Sequence, residues 1–164
     1  MYLMNRFATL ILCAFLCLTA CQPDPFEGYE SVNLLAQDIP VTVLAPPGAK
    51  VKKGDLGSVM KDVTVRGTDE NAWYNLQVFA SRSLHNSVET AKQSELENVK
   101  ANPSFDQLIE EFPDGFVYRT SIDSLTNHNF RRVKVVGDQE VIFQTGLLGT
   151  FSEEEVRRMY LATE

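Results

Sequence analysis

Apolar and polar residues alternate in short runs along much of the chain, and the runs change period at definite points. Val41–Ala45 alternates and is stopped by Pro46-Pro47-Gly48. Asp62–Arg66 alternates with Val63 and Val65 on one face, and Trp73–Ala80 puts Tyr74, Leu76, Val78 and Ala80 opposite Asn75 and Gln77. A period of two is the signature of a half-buried strand. The period then lengthens. Asn86-Ser-Val-Glu89 reads as a helix start with Asn86 as cap, and Val88, Ala91, Leu96 and Val99 share a helical face. Asn102-Pro103 reads as a second start, and Phe105, Leu108, Ile109 and Phe112 form a stripe at helical spacing, stopped by Pro113-Asp114-Gly115. Strands resume at 115–122, and 130–136 with 139–147 form a hairpin around Gly137-Asp138, a two-residue turn with glycine first as type II′ wants. The last helix has the clearest local code. Ser152-Glu-Glu-Glu155 is a capping box, Phe151 and Val156 make a staple, and Val156, Met159 and Tyr160 face inward. Three strands, two helices, three strands and one helix predict an α+β fold: a mostly antiparallel sheet of about six strands with three helices.

One apolar run has neither period. Phe7–Leu18 is twelve residues long, preceded by the single cation Arg6 and followed by Leu18-Thr19-Ala20-Cys21. It is short of the ~20 residues a membrane-spanning helix needs and fits a signal-peptide core. Leu18-Thr19-Ala20-Cys21 resembles the lipobox of bacterial lipoprotein precursors. The resemblance implies cleavage by signal peptidase II before Cys21, a diacylglycerol on the Cys21 thiol and an acyl chain, such as palmitate, on the new amino terminus. The expected organisation is a signal peptide over 1–20, a lipidated Cys21 and tether over 21–30, and one α+β domain over 31–164. Gln22–Glu30, with two prolines, one glycine and three acids, is read as a spacer. Gln22, where proteobacterial lipoproteins kept at the inner membrane carry Asp, implies the outer membrane. Asp24, Glu27 and Glu30 suit the surface export of Bacteroidetes lipoproteins, and the leaflet stays open.

Charge narrows the partners. The chain carries 15 Lys+Arg against 22 Asp+Glu, a net −7, and without residues 1–20 it would lose one more cation. An acidic domain is a poor partner for nucleic acid or for anionic membrane surfaces. Cys13 and Cys17 would leave with the signal, so Cys21 would be the one cysteine of the 144 residues that follow it, and no disulfide is expected. Stability must come from burial, for which 144 residues suffice.

No residue pattern fixes a reaction. His85 and His128 have no second His, Cys or carboxylate at ligand spacing, and no HExxH, Walker loop, GxGxxG or GxSxG occurs. Ser58-Val-Met-Lys61 matches the SxxK of penicillin-binding enzymes without its companion motifs. Glu110-Glu111 and Glu153–Glu155 are explained by helix ends and solvation. Lys50, Lys52 and Lys53 fall in a long loop over 46–60, and Lys61 follows close behind. With Arg131, Arg132 and Lys134 they would make a positive patch if loop and hairpin met; a solvated loop and sheet face is the favoured reading. Trp73 is read as a strand-end core residue before an anchor for a partner. Gly146-Leu-Leu-Gly149 breaks a strand ahead of the last helix.

In element order, residues 39–162 resemble the Mog1/PsbP-like fold, an antiparallel sheet carrying helices. Ile39-Pro-Val-Thr-Val, Lys52-Lys-Gly-Asp-Leu-Gly and Phe143-Gln-Thr-Gly-Leu-Leu-Gly are similar to small uncharacterised lipoproteins of Bacteroidetes-type bacteria. The function expected is a lipid-anchored envelope protein, a binding or assembly module held to the membrane through Cys21, with an envelope protein as candidate partner and no cofactor or metal. The alternative is an envelope hydrolase built from His85 or His128 and scattered carboxylates, with Asp62, Asp123 and Glu140 the first to test because they flank or lie within strands.

Overall fold

The alternating runs pair into one large antiparallel sheet in a computed structural model of the chain, which describes residues 24–54, 57 and 59–164. The lipobox, Cys21 and the SxxK serine, Ser58, lie outside the described residues. The elements are β1 (Glu30–Asn33), β2 (Thr42–Ala45), β3 (Lys50–Lys53), β4 (Met60–Arg66), β5 (Asn75–Arg82), α1 (Val88–Lys100), β6 (Phe105–Phe112), β7 (Gly115–Ile122), β8 (Leu125–Val136), β9 (Gln139–Thr145) and α2 (Glu153–Leu161). The sheet order is β3-β4-β5-β9-β8-β7-β6, and β1 and β2 form a separate two-stranded ribbon. The α+β class and the antiparallel sheet agree with the sequence pattern; the counts differ, with seven strands in the sheet and two α-helices among the described residues.

The missing helix is β6. Phe105, Leu108, Ile109 and Phe112 are spaced as on a helix because two irregularities, between Phe105 and Gln107 and between Leu108 and Glu110, each insert an extra residue into the pairing with β7. Phe105 and Leu108 therefore pack with α1 on one face of the sheet, and Ile109 and Phe112 pack with the main core on the other. The apparent cap Asn102 makes an Asx-type turn, its side chain accepting from the Ser104 N–H at 3.0 Å, and the chain enters a strand. Glu110 and Glu111 accordingly sit on a strand, where they pair with Arg157 and Lys92. The first helix starts one residue later than its pattern suggests: Ser87, not Asn86, accepts the Thr90 N–H.

The expected 46–60 loop contains β3. Lys-Val-Lys-Lys has little strand propensity of its own, but it pairs with β4 from Lys50↔Arg66 to Lys53↔Val63. Lysines on an edge strand also oppose pairing with another chain. The expected tether is partly folded: Phe26 and Tyr29 pack against the core, with ring centroids 5.3 Å apart, and Tyr29 meets Tyr74 at 6.2 Å.

Elsewhere the local code operates as written. The Gly137 φ of +65° opens the β8–β9 turn, and the α2 capping box is closed in both directions. The main core joins Val63, Val65, Leu76, Val78, Val141 and Phe143 to Val156, Met159 and Tyr160 of α2 and to the β1–β2 ribbon. The ribbon is tied down by Leu44 N–H to Ala162 O at 2.8 Å and by Tyr74 Oη donating to Leu44 O at 2.7 Å. α1 covers the opposite face, but only over β6–β8, where Leu96 and Val99 meet Phe116 and Tyr118. Among the described residues, no helix lies over the β3–β4–β5 half of that face.

Candidate functional site

Strand alternation sends Val63, Val65, Leu76 and Val78 into the core and turns their neighbours Thr64, Arg66, Asn75 and Gln77 to the opposite face of the β3–β4–β5 half. Lys50 and Lys52, directly opposite Arg66 and Thr64, join them. Together with Gly146, Leu147 and Leu148 of the loop after β9 they line a cleft of about 560 Å³. Its size suits a small ligand or the tip of a larger one.

The floor is polar and fixed. Asn75, Gln77 and Gln144 are buried. Gln144 Nε2 donates to Gln77 Oε1 at 3.0 Å, and Gln77 Nε2 donates to Asp62 Oδ1 at 3.1 Å, a ladder crossing three strands. Asn75 Nδ2 donates to Leu148 O at 2.7 Å and so places the Leu147-Leu148 rim. Its Oδ1 is buried and accepts nothing within the described residues. Gly146 is small for a reason: a Cβ there would run into the Asn75 amide.

The rim is cationic and apolar. Lys50, Lys52 and Arg66 are exposed and, among the described residues, form no ion pair or side-chain hydrogen bond. Most other basic side chains are engaged. Arg119 pairs with Asp106, Arg131 with Glu95, Arg132 with Asp114, Arg157 with Glu110 and Glu153, Lys92 with Glu111 and Lys53 with Asp38. Leu147 and Leu148 are 80% and 76% exposed. Three unpaired cations around one cleft of an acidic chain form a local field that favours an anion.

The two basic groups picked out in the sequence do not make one patch. β3 and β8 are separated by three strands, roughly 19 Å at the usual strand spacing. Arg131 and Arg132 are in ion pairs, and Lys134 Nζ donates to Thr163 O at 2.6 Å. Lys61 Nζ donates to Asp38 O at 2.7 Å. A polar cluster at the joint between α2 and the sheet is structural. Arg132 meets Asp114 at 2.8 Å through Nε, and Tyr160 Oη donates to Asp114 Oδ1 at 2.6 Å. Burial works to raise the Asp114 pKa, but the hydrogen bonds from Tyr160 and Arg132 outweigh it and hold the carboxyl below its usual range.

Folding also brings together a pair that spacing did not reveal. His85 Nδ1 lies 2.7 Å from Glu140 Oε2, and the Glu140 side chain is 9% exposed. Ser83 stands beside this pair, but its Oγ donates to His85 O, not to the ring. His128 Nδ1 faces Phe151 O at 3.2 Å, beside the start of α2. Asp62 belongs to the cleft's ladder, and Asp123, with φ +55°, makes the β7–β8 turn. Trp73 is partly buried ahead of β5, with the Arg158 guanidinium 5.7 Å from its ring centre. Among the described residues no group of three or more His, Cys, Asp or Glu is placed to hold a metal ion. No helix among them is long and apolar enough to cross a membrane.

Comparison of the chain with protein-family models, with curated proteins and with solved structures gives no match.

Proposed function

We propose that this protein is a lipid-anchored module of the bacterial cell envelope, an outer-membrane lipoprotein that binds an anionic ligand and does no chemistry on it.

 The cleft carries the binding half of this reading: Lys50, Lys52 and Arg66 stand unpaired around a fixed amide floor. A ligand bringing a carboxylate or phosphate to the three cations and apolar surface to Leu147 and Leu148 matches this lining. Leu18-Thr19-Ala20-Cys21 carries the anchoring half. Each buried CH₂ of an acyl chain is worth ~0.8 kcal/mol, and several chains on one residue hold a domain durably.

The test has two arms. Mass spectrometry of the protein purified from membranes should find an acylated Cys21 at the amino terminus, and Cys21→Ser should stop processing. An unmodified Cys21 with residues 1–20 attached removes the anchor. For the cleft, a soluble chain from Gln22 onward is titrated with muropeptides and with inorganic phosphate while amide NMR shifts are followed. Shifts should gather at Lys50, Lys52, Arg66, Asn75 and Gln77 and vanish in Lys50→Glu/Arg66→Glu. Shifts gathered elsewhere would remove the cleft.

The His85–Glu140 pair favours a second reading, a hydrolase in which Glu140 orients His85 as a general base. Ester, glycan or peptidoglycan turnover that is lost in His85→Ala and Glu140→Gln would establish it.

A further inference from the structure

We propose that one end of the sheet, the end carrying Ile122, Leu125, Leu147 and Leu148, is seated on the bilayer that holds the anchor. The proposal rests on the reading of Cys21 as the lipidated residue.

The sheet has two ends. At one, β5 begins at Asn75, β9 ends at Thr145, and the β7–β8 hairpin projects beyond them on the same side. At the other, β5 ends at Arg82 beside Gln139. Exposed aliphatic side chains occur at both. Ile122, Leu125, Leu147 and Leu148 stand at the Asn75 end, and Val59 and Leu84 at the Arg82 end. Exposure therefore does not choose between them.

The start of the folded chain does. Phe26 and Tyr29 pack on the core, Tyr29 meets Tyr74 next to Asn75, and Glu27 N–H bonds back to Asp24 O at 3.1 Å. The described chain thus begins at the Asn75 end. Only Gln22 and Pro23 separate Asp24 from Cys21. Three residues span at most ~10 Å even when fully extended. A lipid on Cys21 then brings the Asn75 end to within about that distance of the membrane surface, whereas a free nine-residue spacer would have let the domain tumble.

The apolar residues at this end are placed to use that proximity. Ile122 and Leu125 flank the tip of the longest hairpin, whose turn is closed by Asp123 at φ +55°, and Leu147-Leu148 is held by the Asn75 amide. Asp69, Glu70 and Asp123 share the end with Lys50 and Arg66. These opposite charges offset one another, so the aliphatic tips and not a net charge make the contact, and the seat does not require anionic lipid. It also puts the cleft's Leu147-Leu148 rim at the level of the lipid head groups.

The test uses the full chain, expressed with residues 1–20, acylated, and reconstituted in phosphatidylcholine vesicles. Leu125→Cys, Leu148→Cys and Leu84→Cys are labelled singly with an environment-sensitive dye. All three positions are highly exposed, so the substitutions leave the core intact. A quencher carried on the lipid should reduce emission at 125 and 148 at least twofold and leave 84 unchanged. Equal quenching at all three, or none at 125 and 148 in protein that is acylated and vesicle-bound, overturns the seat and leaves the anchor standing. Protein that lacks an acylated Cys21 by mass spectrometry and does not float with the vesicles overturns both.

Discussion

Single side chains decide the tight joint between α2 and the sheet. Asp114 accepts from Arg132 and Tyr160, and Arg132 also lies over the Tyr160 ring with its guanidinium carbon 4.9 Å from the ring centre. Replacing the carboxylate with an amide removes charge-assisted hydrogen bonds worth about 2 kcal/mol together. The pH dependence has a definite sign. The folded-state pKa of Asp114 is lowered, so its contribution is complete above the unfolded value near 3.9 and is lost as pH falls through the folded value. Urea unfolding should therefore find Asp114→Asn destabilised by about 2 kcal/mol at pH 7, with the gap from wild type closing below about pH 4. A gap that persists undiminished at pH 2 would mean that the amide disturbs packing and not charge.

Helix ends and strand pairing settle the elements. Ser87 and Ser152 cap α1 and α2 by accepting the N–H groups of Thr90 and Glu155. Each cap is worth ~1 kcal/mol against alanine. Ser87→Ala and Ser152→Ala should each lower stability by that amount in chemical denaturation, while Asn86→Ala, one residue outside the cap, should change it little. A larger loss at Asn86 would move the start of α1. The two caps differ in how plainly they could be read. At α2 the box, the staple and the inward face are all within ten residues, and each is where its local chemistry puts it. At β6 the same kind of local evidence misleads. An Asx turn and an N-cap use one hydrogen bond, and a twice-bulged strand can copy helical spacing.

At the scale of the whole molecule, β3 is an edge that must not pair with a neighbour. Lys50, Lys52 and Lys53 guard it. Replacing all three with valine should cause concentration-dependent association, seen as rising light scattering at unchanged secondary structure. A monomeric triple variant would mean that twist or neighbouring loops protect the edge without the charges. The same lysines have a second use in the cleft, where two of them face Arg66 and Thr64 across the pair.

Information carried within a few residues was legible in the chain itself: the alternation that makes β4, β5, β7, β8 and β9, the Gly137 turn and the capping box of α2. These depend on bonds and contacts between near neighbours in sequence. The tertiary structure alone decided that Lys50–Lys53 is a strand, that Phe105–Phe112 is a strand and not a helix, and that Phe26 and Tyr29 belong to the core. It alone joined Lys50 to Leu148 around one cleft and placed His85 against Glu140, 55 positions away. A strand's partner and a site's membership are set by pairing across the sheet, where each backbone bond and buried contact is made with a residue that no local pattern names.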